Sequence, residues 1–245
     1  MPRRIKERDV PDYPPIKTGE SLTTQRRYDR QAALFDLMEV PVEFLAFRKL
    51  RQRLWADVDG AIVLEIGVGT GKNLPYHPDD ARTVAVDISP RMLRRAARRA
   101  RRLERNVDLI LADAQHLPFR DHAFDAAADT FVFCSVPDPI AGLREMRRVV
   151  RDGGRVHLLE HVRARNPLVG RLMELANPVA VRLSGANINR DTVSNVSKAG
   201  IALDVVESRG FGIIKVIQGS TGQRPSGQDE GEASTEEVEN DVARR

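Results

Sequence analysis

Leu64-Glu65-Ile66-Gly67-Val68-Gly69-Thr70-Gly71-Lys72-Asn73 reads as an apolar strand that breaks into a glycine-rich turn and opens a helix. Glycine lets a ligand come close to the backbone, and the free N–H groups at a helix start favour anionic or carboxylate groups. The dinucleotide fingerprint would put its third glycine at position 72, where this chain has Lys72. The spacing here is Gly-x-Gly-x-Gly, with the acid Glu65 two residues upstream. Taken alone, a tight structural turn with no ligand is the lesser alternative.

Outward from that turn, strand-like runs fall at Ala61–Gly67, Thr83–Ser89, Val107–Asp113, Phe124–Phe131, Arg155–Val162, Ala202–Glu207 and Gly212–Ile217. Amphipathic stretches at about 26–56, 71–77, 90–105, 138–150, 167–183 and 191–199 separate them. Strand and helix alternating in this way predict an α/β fold: a mostly parallel sheet with helices on both faces. The last two runs are joined by only Ser208-Arg209-Gly210-Phe211. That is too short for a crossover, so they must pair antiparallel. Residues 1–24, with four prolines, read as an irregular arm, and residues 219–245 as a disordered acidic tail. The domain then spans 25–218, with 166–200 as a cover on the acceptor side.

Two more acids close strands. Val84-Ala85-Val86-Asp87 ends the second run, where a carboxylate on the ligand edge can accept from both hydroxyls of a ribose. A dinucleotide fold would use such an acid too, so Asp87 points to a ribose without choosing the cofactor. Leu111-Ala112-Asp113-Ala114 ends the third run. Asp113 can accept from an adenine amino group while the backbone at Ala114 faces the ring edge; the bland alternative is a turn cap.

On these residues the chain resembles the class I S-adenosylmethionine-dependent methyltransferases over roughly residues 28–218. The matching signatures are Glu65–Gly71, Asp87, Asp113-Ala114 with Leu117-Pro118-Phe119, Phe124-Asp125, and Val150-Arg151-Asp152-Gly153-Gly154-Arg155. The resemblance implies a seven-stranded Rossmann-like sheet with an antiparallel last strand. It also implies cofactor contacts at Thr70, Asp87, Ile88, Asp113, Ala114 and Thr130, with Gly67, Gly69 and Gly71 under the methionine portion. Glu65 would orient the glycine turn and the methionine amine.

Within that class the chain is most similar to the ubiquinone/menaquinone methyltransferases and their phospholipid N-methyltransferase relatives. Tyr28–Asp36, Leu159-Glu160-His161-Val162 and Gly185–Thr192 carry this second resemblance. The quinone enzymes usually have a different glycine-turn sequence, so the expectation leans to a phospholipid acceptor, the amine of phosphatidylethanolamine. A quinone precursor or another small molecule is the alternative, and a non-catalytic S-adenosylmethionine-binding protein is the reading from another class. The apolar stretch Asn166–Leu183 suits a cover over an apolar pocket, or an ordinary packed helix.

Methyl transfer from a sulfonium is an in-line displacement, so a protein mainly aligns the donor and a deprotonated acceptor. A lipid amine with a lysine-like pKa is protonated at neutral pH, a deficit of about 4.6 kcal/mol that burial or a base must offset. The candidates at the ligand edge are Asp129, His161 and Tyr28, with Glu160 beside them. The histidines show no metal-ligand spacing, so no metal is expected.

Charge and composition bound the partners. The first 218 residues carry a net charge of +8 and the rest −4, and eight arginines crowd between Arg91 and Arg105. Such a body suits anionic lipid headgroups or RNA, although arginines on a helix face usually just solvate it. Nucleic acid is disfavoured: Asp129-Thr130-Phe131-Val132-Phe133 lacks the Asn/Asp-Pro-Pro-aromatic clamp for a flipped base. No run reaches the ~18 apolar residues of a membrane span, and no apolar segment follows the basic N-terminus as a secretory signal would require. With the single Cys134, this fits a reducing cytoplasm, with peripheral contact at the inner membrane face.

Overall fold

Each β-rich run of the sequence becomes a strand of one sheet. A computed structural model describes residues 19–42, 47–164, 166–184, 186–210 and 212–222; side chains are described for all of these except 33–42, 183 and 184. The expected arm up to residue 18 and the tail from residue 223 lie outside the described residues.

The strands are β1 (Ile62–Ile66), β2 (Arg82–Asp87), β3 (Val107–Leu111), β4 (Phe124–Thr130), β5 (Val150–His161), β6 (Ala202–Arg209) and β7 (Ile214–Ser220). Their order in the sheet is β3-β2-β1-β4-β5-β7-β6. β1 to β5 are mutually parallel, and β7 runs antiparallel to both β5 and β6. One reversed strand between six of common direction is what the four-residue link before β7 demanded. That strand reaches Ser220, with Gly219 opposite Val156 and Leu203. Residues 219 and 220 are therefore sheet, not tail.

The helices are α1 (Gly19–Val42), α2 (Arg48–Ala56), α3 (Pro90–Arg102), α4 (Pro139–Val149), α5 (Pro167–Ser184) and α6 (Thr192–Lys198). Three start on a polar cap followed by proline, which loses nothing at a helix's first turn, α5 doing so on Asn166, whose Oδ1 accepts from Leu168 N and Val169 N. Ser89 Oγ accepts from Met92 N ahead of α3, and Asp138 Oδ1 accepts from Ile140 N and Ala141 N ahead of α4. Three boundaries depart from the sequence reading. α1 begins at Gly19, so residues 19–24 are helical instead of irregular; the stretch 26–56 forms two helices; and 71–77 holds only a 3-10 turn at Leu74–Tyr76. That turn stops because His77 precedes Pro78 and is held extended, with ψ 141°.

Both faces of the sheet are covered. On one, Leu143 and Met146 of α4 and Val196 of α6 bury Leu64, Val86, Leu158 and Ile217. On the other, Leu54 and Trp55 of α2 pack on Val63, Leu159 and Val216, while Leu93, Ala96 and Ala100 of α3 pack on Ala85 and Val107. The chain moves outward from β1 to β3, then returns to β4 on the other side of β1. That reversal opens a crevice at the carboxyl ends of β1 and β4, where ligands bind in open α/β sheets.

Candidate active site

A cavity of about 280 Å³ fills that crevice. It is close to the lower end of the usual range for ligand pockets. The glycine turn forms its floor. Val68 N donates to Val86 O at 2.9 Å, which fastens the turn to β2. Gly67 has φ +70°, and a Cβ there would lie 2.3 Å from Val132 Cγ2, so no other residue fits without rebuilding the wall. Gly69, also at positive φ, would point a Cβ into open space on the cavity side.

Asp87 stands at the tip of β2 with both oxygens anchored. Oδ2 accepts from Gly69 N and Oδ1 from Ser89 N, each at 2.8 Å. Each oxygen keeps a second lone pair for a ligand hydroxyl. Burial raises its pKa to about 6, against the pull of those two amides and with some help from the charges of Glu65 and Asp29. At the tip of β3, Asp113 Oδ1 accepts from Gln115 N at 3.0 Å, the local turn bond of the bland reading. Its Oδ2 accepts from Ser21 Oγ at 2.5 Å, a bond reaching in from α1.

α1 crosses the open side of the site. Ser21 reaches Asp113, Tyr28 Oη lies 2.5 Å from Ser135 Oγ, and Asp29 Oδ1 accepts from Ser89 Oγ at 2.6 Å. Ser21 and Tyr28 sit two helical turns apart, on one face. Thr24 between them also lines the cavity.

Beneath the floor lies a polar network on the α2 side of the sheet. Glu65 is fully buried; Oε1 accepts from Asn73 Nδ2 at 2.7 Å and Oε2 pairs with His77 Nε2 at 2.8 Å. Asn73 also donates to Thr130 Oγ1 at 3.2 Å and accepts from Arg51 Nη1 at 3.0 Å.

The segment after β4 forms the far wall. Phe131 has φ 58°, in the left-handed region that costs a residue with a side chain roughly 1–3 kcal/mol. Glu160 holds it there, since its Oε1 accepts from Val132 N at 2.7 Å and Phe133 N at 2.8 Å. Asp129 neighbours Glu160; burial foremost, then repulsion from Glu160, raises its pKa well above the ordinary carboxylate value. His161 borders the cavity, and burial lowers its pKa despite a bond to the Ile188 backbone, so the imidazole is neutral at pH 7. Its Nδ1 has no hydrogen-bond partner among the described residues. Burial keeps the Cys134 thiol protonated, so it is no nucleophile.

Of the residues singled out in the sequence, Gly67, Gly69, Thr70, Asp87, Ile88, Asp113, Ala114, Thr130, Tyr28 and His161 all line the cavity. Glu65, Gly71 and Asp129 do not. Glu65 acts through Asn73, and Gly71 packs against α3, where a Cβ would come 3.2 Å from Ala96 Cα. Asp129 has no exposed surface. Sequence reasoning missed Arg51, Asn73, Ser21 and Ser135, whose contacts span 22 to 107 residues, except the local bond from Asn73 to Glu65. Among the described residues no His/Cys/Asp/Glu cluster could hold a metal, and no helix is long and apolar enough to cross a membrane.

A family profile described as a methyltransferase domain matches residues 64–158. The ubiquinone/menaquinone biosynthesis C-methyltransferase of Hahella chejuensis is 32% identical over 179 residues, which cover 68% of this chain and 71% of that protein. The phosphatidylethanolamine N-methyltransferase of Cereibacter sphaeroides is 38% identical over 123 residues, 48% of this chain and 61% of that one. In fold, the chain is similar to geranyl diphosphate C-methyltransferase from Streptomyces coelicolor A3(2), solved with S-adenosyl-L-homocysteine. The TM-score is 0.67 at 12% identity, covering 84% of this chain and 100% of that one.

Proposed function

We propose the amine of phosphatidylethanolamine as the methyl acceptor of this chain, which belongs to the S-adenosylmethionine-dependent methyltransferases. The cavity fits that cofactor: two buried carboxylates stand at the tips of β2 and β3, and Gly69 leaves the space between them and the floor open. In this reading Asp87 takes the ribose hydroxyls, Asp113 and the Ala114 backbone take the adenine, and Thr70 and Asn73 face the methionine end. Bound there, S-adenosylmethionine supplies a methyl group on a positively charged sulfur.

The chain's own residues then have to present a neutral nucleophile. The observation that carries the acceptor reading is the far wall: Phe131, Val132, Val136, Pro137 and Ile188 are apolar and enclose one neutral imidazole, His161. An apolar wall desolvates an ammonium and lowers its pKa, and a neutral imidazole accepts its proton. Tyr28 and Ser135, bonded to each other at the rim, position the headgroup. Asp129, with no exposed surface, is out of reach as a base, and Glu160 supports the wall.

A second reading, methylation of a quinone precursor, is favoured by the longer match to the Hahella chejuensis protein. His161 would then take a phenolic proton. Labelled methyl transfer into phosphatidylethanolamine vesicles and, in parallel, into a demethylquinol separates the two. Label in the phospholipid is the expected result, and label in the quinol alone would overturn it.

A further inference from the structure

We propose that the outward face of α5 docks on an anionic lipid bilayer, beside the acceptor side of the cavity. Leu168, Leu172, Leu175 and Val179 are 81%, 66%, 73% and 60% exposed. Their spacing puts them on one stripe, about one per turn, along a helix of about 27 Å. The inward side is the polar and small one. Gly170 is buried, with room for nothing larger, since a Cβ would meet Arg163 Cζ at 2.8 Å. Asn177 Nδ2 donates to Asn187 Oδ1 at 3.2 Å, and Asn177 Oδ1 accepts from Ile188 N at 2.9 Å. A helix that turns a stripe of large apolar side chains to solvent is the reverse of a packed surface helix, and such a patch marks an interaction site.

Charge selects the occupant. Arg171 and Arg182 are exposed along one edge of the stripe, within about 70° of its midline at 100° per residue. The helix has one acid, Glu174, and Arg163 Nε binds it at 2.9 Å. An apolar stripe edged by arginine suits the boundary between acyl chains and phosphate headgroups. A second copy docking antiparallel through the same face would bring arginine against arginine. The position fits delivery as well. Asn187, bonded to Asn177 of α5, also donates from its N and Nδ2 to Cys134 O at 2.9 and 3.1 Å. Asn187, Ile188 and Cys134 all line the cavity. The docking helix is thus hydrogen-bonded to the wall that would receive a lipid headgroup.

The choice of a bilayer rests on the lipid-acceptor reading, and the test separates the two. The full chain is sedimented with phosphatidylglycerol–phosphatidylcholine vesicles and with pure phosphatidylcholine vesicles. The expected result is binding to the anionic vesicles that falls about tenfold or more for a Leu172→Glu/Leu175→Glu variant, and also for Arg171→Glu/Arg182→Glu, with calorimetric S-adenosylmethionine binding unchanged. Equal sedimentation of the variants, no sedimentation of the parent, or a dimer that the leucine variant dissolves would each overturn the docking. Methyl transfer to phosphatidylethanolamine in detergent micelles is measured alongside. Transfer without vesicle binding sinks the docking and leaves the acceptor reading, while vesicle binding without transfer does the opposite.

Discussion

Asn73 Nδ2 donates to Glu65 Oε1 at 2.7 Å and to Thr130 Oγ1 at 3.2 Å. One side-chain amide thereby joins β1, the 3-10 turn after the glycines, and the end of β4. Glu65→Ala would leave Asn73 and His77 without a buried acceptor, at about 1–3 kcal/mol for each. Denaturant unfolding should show that loss together with weaker S-adenosylmethionine binding; an unchanged midpoint would contradict the network. Glu65→Gln, which keeps an acceptor for Asn73, should lose less.

Asp87 makes pH a probe of the ribose site. Its pKa is raised from 3.8 to about 6 in the folded protein, so between those values the unfolded chain gives up this proton while the folded chain keeps it. Its contribution to stability is therefore greatest below pH 3.8 and is lost as pH rises through about 6, a swing on the order of 3 kcal/mol. Cofactor affinity should run the other way, because ribose hydroxyls donate best to the ionised carboxylate. Calorimetry should find binding strengthening as pH rises through about 6, with a proton released on binding below that pH. In Asp87→Asn both effects should vanish; a pH dependence that survives would remove Asp87 from the ribose contact.

His161 should behave as a base and Asp129 should not. His161→Gln is expected to lower kcat by about 10²–10⁴ while leaving S-adenosylmethionine affinity intact. Because burial lowers the pKa of His161, the acid limb of the parent's rate profile should fall below the ordinary histidine value of 6.5. An acid limb that persists in the variant would assign the base elsewhere. Asp129→Asn preserves a side chain of the same shape, so activity should stay within about threefold. A loss as large as that of His161→Gln would restore Asp129 as a catalytic residue.

Glu160 carries the strain of the far wall. Glu160→Ala would free Val132 N and Phe133 N and leave the left-handed Phe131 unsupported, costing about 2 kcal/mol or more. Phe131→Gly should recover part of that stability in the double variant, since glycine takes the positive φ without cost. No recovery in the double-mutant cycle would show that the backbone strain is carried elsewhere.

The parallel strands and the glycine turn were legible because local pattern determines them: apolar runs of strand length, polar caps before proline, and a link too short to cross over. The same locality made Asp87 and Asp113 stand out, one closing β2 and the other two residues past the end of β3. What the sequence did not reveal is contact between distant segments. Ser21 joins Asp113 across 92 residues and Tyr28 joins Ser135 across 107, and neither pairing leaves a periodic trace. Helix ends went astray for a related reason. Residues 19–24 are weakly amphipathic and are fixed as helix by what they touch, with Ser21 fully buried. Asp129 misled because its place at a strand's end implied access, whereas the register of β4 against β5 turns it inward beside Glu160.

The reversed β7 also sets the timetable of synthesis. Among the described residues β6 bonds in the sheet to β7 alone, and β7 is the last of the described strands to be made. The edges that form the cofactor crevice belong to β1 through β4 and can assemble while the ribosome is still translating. The far border of the sheet must wait until Ser220 has cleared the exit tunnel. A nascent chain stalled before Ile214 would hold a nearly complete nucleoside cradle and a β5 edge still open on the side that β7 covers.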